Sequence, residues 1–232
     1  MCGRFTQTTP AQELKKLLRF VEQPNLEPRY NIAPTQDVPV LRQRRNPAGE
    51  RTLQNLRWGL VPPWAEDLKL GAKMINARAE TLFEKPAFRK AARARRCIVP
   101  TDGFYEWQGE GAGKQPYFIS RRDRLPFAFA GVWERWTAPA PQSGEPAYVD
   151  SFSIVTTDAN AVLKPLHHRM PVILSGEALD AWLDPGTDAA VLPGLLRPAA
   201  DDLLDFHPVG REVNAARAEG PGLPLPVEAD AA

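Results

Sequence analysis

The second residue of the chain is a cysteine, Cys2, followed by Gly3 and Arg4. Removal of Met1 ahead of so small a residue leaves a free α-amine and a thiol on one carbon skeleton, a 1,2-aminothiol. An α-amine titrates at roughly 7.7–8.0 and a thiol at about 8.5, so near neutral pH some amine is free base and a little thiol is ionised, more beside cations. Such a pair reacts with aldehydes. The amine forms an imine with loss of water, and the sulfur then closes on the imine carbon to give a five-membered thiazolidine, a step favoured by high effective molarity. On position alone, Cys2 reads first as an ordinary residue at the start of a strand.

Three further residue types fit that chemistry. Glu106 lies between Tyr105 and Trp107, where apolar neighbours raise a carboxyl's pKa and keep part of it protonated near neutral pH. Asn76 precedes Ala77 and Arg78, and its amide can cap a helix or hydrogen-bond an amine or sugar. His167 and His168 are adjacent, so in an extended segment they point to opposite sides and one at most faces a common site. An imidazole titrating near about 6.5 suits proton shuttling. Cys97 is the other cysteine, and with three histidines in the chain no metal-ligand spacing occurs, so a reduced, metal-free protein is expected.

Several ordered blocks of sequence carry a resemblance. They are Met-Cys-Gly-Arg-Phe at residues 1–5, Tyr-Asn-Ile-Ala-Pro-Thr at 30–35, Arg-Trp-Gly-Leu-Val-Pro at 57–62, Asn-Ala-Arg-Ala-Glu-Thr at 76–81 and Gly-Phe-Tyr-Glu-Trp at 103–107. Thr-Thr-Asp-Ala-Asn at 156–160, His-His-Arg-Met-Pro at 167–171 and Val-Asn at 213–214 continue the series. Together they resemble the SRAP family, the SOS response-associated peptidases, from residue 2 to about residue 214.

The resemblance implies a sensor of abasic sites in single-stranded DNA in the DNA damage response. The ring-opened deoxyribose aldehyde is captured on Cys2 as a thiazolidine crosslink that protects the lesion. It implies that Asn76 hydrogen-bonds the amine or the sugar, that Glu106 supplies the proton for ring opening and assists reversal, and that His167 is the histidine facing the site. For DNA contact it points to Arg4, Arg78 and Arg169, whose guanidinium forks fit phosphate oxygens, with Thr156 as a neutral donor. Trp58 and Trp64 are candidates to stack on or wedge beside a base, Trp64 being the one carried into the site. No cofactor is implied. Partners are abasic single-stranded DNA and, at replication forks, other proteins. A monomer in the cytoplasm, at the nucleoid in a bacterium, is expected. Autoproteolytic removal of Met1, the nominal peptidase activity, and β-elimination lyase activity through the imine are open to the same residues.

Composition bounds these readings. The 232 residues are 43% hydrophobic and 25% charged with a mean hydropathy of −0.37, which is globular and excludes coiled coil and collagen-like fibre. The 24 prolines and 16 glycines demand many turns. No apolar stretch reaches the ~18 residues of a membrane span, and residues 1–30 have no secretory-signal pattern. Net charge is +1, but residues 1–136 hold 24 Lys and Arg against 14 Asp and Glu, and residues 137–232 hold 5 against 14. That asymmetry permits a polyanion-binding face. The cluster Arg89, Lys90, Arg93, Arg95 and Arg96 reads most plainly as a solvated helix face.

The elements that must position these residues are short. Thr9, Pro10 and Gln12 read as an N-cap, a first helical position and a capping-box partner. Leu14, Leu17, Leu18 and Val21 follow at helical spacing, with Pro24 as the stop. Apolar runs at 38–41, 53–61, 97–100, 127–133, 152–156 and 171–174 read as strands. Residues 83–96, 160–166 and 176–183 read as helices, the last burying Leu179, Trp182 and Leu183. Residues 139–146 read as a surface loop, and 221–232 as a frayed tail. The expectation is one α+β domain over residues 1–220, with a mostly antiparallel, barrel-like sheet core flanked by short helices.

Three other functions compete. N-terminal-nucleophile glutamine amidotransferases also begin Met-Cys-Gly, but their oxyanion site uses an Asn-Gly pair and this chain contains none. A peptidase acting on other chains predicts Cys2-dependent cleavage of unrelated peptides. A non-enzymatic reader of modified bases predicts that Cys2→Ala binds DNA with no covalent step lost.

Overall fold

A computed structural model of the chain describes residues 2–44, 49–109, 111–138 and 147–228. The expected loop at 139–146 lies outside them. In chain order the elements are β1 (Arg4–Gln7), α1 (Ala11–Leu18), β2 (Arg29–Ile32), β3 (Asp37–Gln43), β4 (Arg51–Trp58), β5 (Asn76–Arg78) and α2 (Arg89–Ala94). There follow β6 (Arg96–Thr101), β7 (Gly103–Gln108), β8 (Gln115–Arg121), β9 (Phe127–Thr137), β10 (Tyr148–Asp158), β11 (Arg169–Pro171), α3 (Gly176–Leu183) and β12 (Leu204–Pro208).

Five strands close on themselves. β10 runs parallel to β4, β4 pairs with β3, β3 with β6 and β6 with β9, and β9 returns antiparallel to β10. Closure leaves these strands no open edge along their shared length. Beyond the ring, β10 carries β5 in parallel on one side and β11 antiparallel on the other. The second sheet is antiparallel throughout, in the order β12, β8, β7, β1, β2. The α+β, mostly antiparallel, barrel-like architecture is therefore present.

The apolar core has two main parts. Phe5, Trp58, Phe104, Phe129 and Phe152 pack with Cys2 in one of them. Leu14, Leu18, Ile98, Ala130 and Trp182 belong to the other. Gly131 of β9 keeps the barrel wall thin, since a Cβ there would lie 2.8 Å from Cys97 Sγ. Trp182 of α3 donates from Nε1 to the Cys97 and Gly131 carbonyls at 3.1 and 3.2 Å.

Several local readings change. Leu14 and Leu18 are buried, but Leu17 and Val21 are 42% and 53% exposed, because α1 ends at Arg19, a left-handed residue (φ 58°) whose N–H bonds Lys15 O. Pro24 is not the stop. Thr9 does not cap the helix, because its hydroxyl donates to Asp102. The helix expected over 83–96 shrinks to α2; Pro86 lies in a run of turns ahead of it, as its missing N–H and ring clash require. Residues 161–166 are turns, held by Asn160 Oδ1 accepting the Leu163 N–H at 3.0 Å. β11 occupies 169–171, and 172–174 continue as bonds from Val172 to Val155 and Leu174 to Ala128. α3 has its expected span and buries Leu179, Trp182 and Leu183. Val227 N–H donates to Pro208 O at 3.0 Å. None of the described helices is long and apolar enough to cross a membrane.

Candidate active site around Cys2

Cys2 is fully buried, and its Sγ donates weakly to the Arg4 carbonyl at 3.8 Å. The chain enters β1 at Arg4, which faces Tyr105 of β7. The next residue on β7, Glu106, therefore reaches the end of β1 where the cysteine lies. Burial, then the Glu106 carboxylate, push the Cys2 thiol well above the usual thiol range. The ionised fraction expected from the sequence is thus suppressed. Glu106 is itself buried, and desolvation raises its carboxyl above the ordinary carboxylate range, as expected from its neighbours.

Asn76 is delivered by a strap. Trp58 Nε1 and the Ile154 N–H both donate to Ile75 O, at 2.9 and 3.0 Å, which pins the residue ahead of β5. Asn76 then pairs with Ile154 of β10, and its Nδ2 donates to the Cys2 carbonyl at 2.8 Å. Its Oδ1 is buried with no hydrogen-bond partner among the described residues. Trp58 is core, stacked on Phe152 and edge-on to Phe5 at 5.0 Å, so it is not a platform for a base. The following Gly59 has φ +124°, and a Cβ there would lie 2.6 Å from Gly71 O.

His167 follows the turns at 161–166, and Gln108 at the end of β7 donates to Pro165 O at 3.1 Å, tying this loop to the Glu106 strand. The Arg169 N–H donates to His167 Nδ1 at 2.9 Å, a tight turn and not an extended segment. The rings of His167 and His168 consequently stack, centroids 4.4 Å apart, and do not point to opposite sides. Burial first, then the positive amino terminus and His168, lower the His167 pKa to about 4.

The DNA candidates divide. Trp64 is 60% exposed and Arg78 is exposed at the end of β5. Arg4 is half-buried, its Nη1 donating to Asn31 Oδ1 at 3.0 Å and Val213 O at 2.8 Å. Arg169 is buried, with Nη1 donating to Glu80 and Asp158 and Nη2 to Glu80 and the Thr156 carbonyl, at 2.6–2.8 Å. Its terminal donors are therefore engaged within the protein. Thr156 is also buried, with Oγ1 toward Ala77 O at 3.5 Å. These two residues join β5, β10 and β11 behind Asn76 and His167.

Glu80 and Asp158, the partners of Arg169, were not singled out from the sequence, nor was Asn31, whose Nδ2 donates to the Val213, Ala215 and Ala218 carbonyls. All three lie inside the sequence blocks quoted above, which is the one signal that marks them. Among the described residues, no three His, Cys, Asp or Glu side chains converge as a metal ion would require.

The family described as SOS response associated peptidase (SRAP) matches residues 1–216. The abasic site processing protein YoqW of Bacillus subtilis is 41% identical over 228 residues, 96% of this chain and 98% of that protein. The abasic site processing protein HMCES of Gallus gallus is 34% identical, over 98% of this chain and 78% of that protein. A crystal structure of a Bacteroides thetaiotaomicron protein superposes with a TM-score of 0.76 at 32% identity, covering 90% of this chain and 93% of the other. The chain belongs to the SRAP family.

Proposed function

We propose that this chain processes abasic sites in single-stranded DNA, capturing the ring-opened aldehyde on Cys2 once Met1 has been removed. The thiazolidine crosslink shields the lesion during the DNA damage response. The names of its relatives support abasic-site processing. The observation that carries the covalent reading is the meeting at Cys2 of Asn76, bonded to its carbonyl, and Glu106, whose charge acts on its thiol.

Each group has a task. Protonated Glu106 gives its proton to the ring oxygen of the closed sugar as the ring C–O bond breaks, and the aldehyde forms with loss of the hydroxyl proton. The Cys2 amine adds to the aldehyde carbon, and water leaves to form the imine. The thiol then adds to the imine carbon while its proton passes to the nitrogen, with the Glu106 carboxylate as carrier. The sum is protein plus DNA giving adduct plus one water. A thiol kept protonated by burial and by Glu106 delays sulfur attack until the imine stands beside it. Asn76 holds the Cys2 backbone, and its free Oδ1 accepts from the amine. Neutral His167 donates from Nε2 to a sugar or phosphate oxygen. Arg78, Trp64 and Arg4 border the strand's path, and the same imine gives lyase product by β-elimination where it escapes closure.

The test is to cap the aldehyde of an abasic oligonucleotide with methoxyamine before mixing. Capture that needs the aldehyde disappears on capping and with undamaged DNA. Undiminished capture of the capped strand would refute the reading.

A further inference from the structure

A cavity of about 510 Å³ opens between the β3–β4 hairpin, the end of α2 and β9. Arg42, Arg44, Thr52, Arg95, Arg96 and Trp133 are among its lining residues, and none of Cys2, Asn76, Glu106 or His167 is. Its volume is that of a site for a small ligand.

Its side chains are those of an anion site. Arg96 is engaged by the carbonyls of Trp182, Ala92, Arg93 and Asp184 and serves as wall. The other three arginines each meet one carboxylate: Arg42 with Asp150 at 3.1 Å, Arg44 with Glu50 at 2.7 Å, and Arg95 with Glu134. None of those carboxylates lines the cavity. Among the described residues, one carboxylate contact each leaves most of the five N–H donors of a guanidinium unused. Arg42 lies 4.0 Å over the Trp133 ring, which fixes its plane.

Two polar atoms in this lining are buried without a hydrogen-bond partner among the described residues, Thr52 Oγ1 and Arg95 Nε. Thr52 is only 1% exposed, and leaving a buried hydroxyl unbonded is unfavourable unless a ligand satisfies it. Of the basic cluster seen in the sequence, Arg95 and Arg96 line the cavity, while Arg89, Lys90 and Arg93 form an exposed helix face.

We propose that this cavity is a second site, separate from Cys2, that binds a phosphate group through Arg42, Arg44, Arg95 and the Thr52 hydroxyl. The phosphate belongs either to the backbone of a nucleic-acid strand or to a free phosphate-bearing molecule.

The test titrates the protein with inorganic pyrophosphate by calorimetry, and with an undamaged oligothymidylate by fluorescence anisotropy. Wild type is compared with the double variant Arg42→Gln, Arg44→Gln and with Thr52→Val, folding being checked by thermal melts. Asp150 keeps Arg135 as a partner at 2.7 and 2.9 Å when Arg42 is replaced, and valine is nearly isosteric with threonine. The expected result is affinity lowered roughly tenfold or more in the double variant, the loss of one to two charge-assisted hydrogen bonds, and several-fold in Thr52→Val. Parallel loss for both ligands assigns a strand phosphate, and loss for pyrophosphate alone assigns a free one. Unchanged affinity for both ligands overturns the site. So does a loss confined to the double variant, which would be general electrostatic attraction. Crosslinking of saturating abasic DNA stays at wild-type extent in these variants, so a failure here and a failure at Cys2 are read separately.

Discussion

The backbone N–H of Arg169 donates to Nδ1 of His167 at 2.9 Å, which leaves the proton of the neutral imidazole on Nε2. Burial holds its pKa at about 4, below the ordinary 6.5. Between those values the unfolded chain binds the proton and the folded one does not, so stability rises with pH across that window and falls as pH drops from about 6.5 through about 4. His167→Gln, which cannot titrate, flattens that part of the profile, measured by urea denaturation at a series of pH values. An unchanged slope would remove His167 as its source.

Glu106→Gln keeps the shape of the side chain and removes its acid–base function. Crosslink formation and reversal both slow by roughly 10²-fold, the usual scale of general acid–base catalysis, while affinity for undamaged single strands stays level. Rates come from a quenched time course and affinity from anisotropy. Lost binding with normal chemistry per bound complex would defeat the assignment.

Gly59→Ala is predicted to damage fold and site together. The residue has φ +124°, and its new Cβ would meet the Gly71 carbonyl at 2.6 Å. The strain costs about 3 kcal/mol, read from the urea midpoint. It also shifts Trp58 and the strap that delivers Asn76, so capture slows under conditions where the variant is still folded.

Arg169 is held by Glu80, Asp158 and the Thr156 carbonyl, and its replacement acts on stability before it acts on DNA. Arg169→Gln loses about 2 kcal/mol, the scale of hydrogen bonds to a charged group. The slope of log affinity against log salt is unchanged. A slope shallower by about one unit would place Arg169 on a phosphate.

The strands of the closed barrel were legible because β6 and the first half of β9 are buried on both faces and carry apolar runs, while β3, β4 and β10 each hold a shorter apolar stretch in a more mixed sequence. The sheet formed by β1, β2, β7, β8 and β12 was not read. Its strands bury polar side chains, Thr6, Gln7, Asn31, Glu106 and Ser120, which break the apolar pattern while satisfying themselves across the fold. The site's residue types were legible in motif blocks, but their partners lie far off in the chain. Asn31 is read only with Val213, and Arg169 only with Glu80. The stacked histidines escaped because an extended segment was assumed where the chain turns.

The most direct test of the central claim is the intact mass of Met1-processed protein mixed with a single-stranded oligonucleotide carrying one abasic site. Cys2→Ala and an undamaged strand serve as controls. The predicted product, with wild type and the abasic strand only, has the mass of protein plus DNA minus one water and persists without added reductant. A processed protein with a free Cys2 terminus that yields no adduct, or a Cys2→Ala variant that yields the same one, would contradict capture at Cys2.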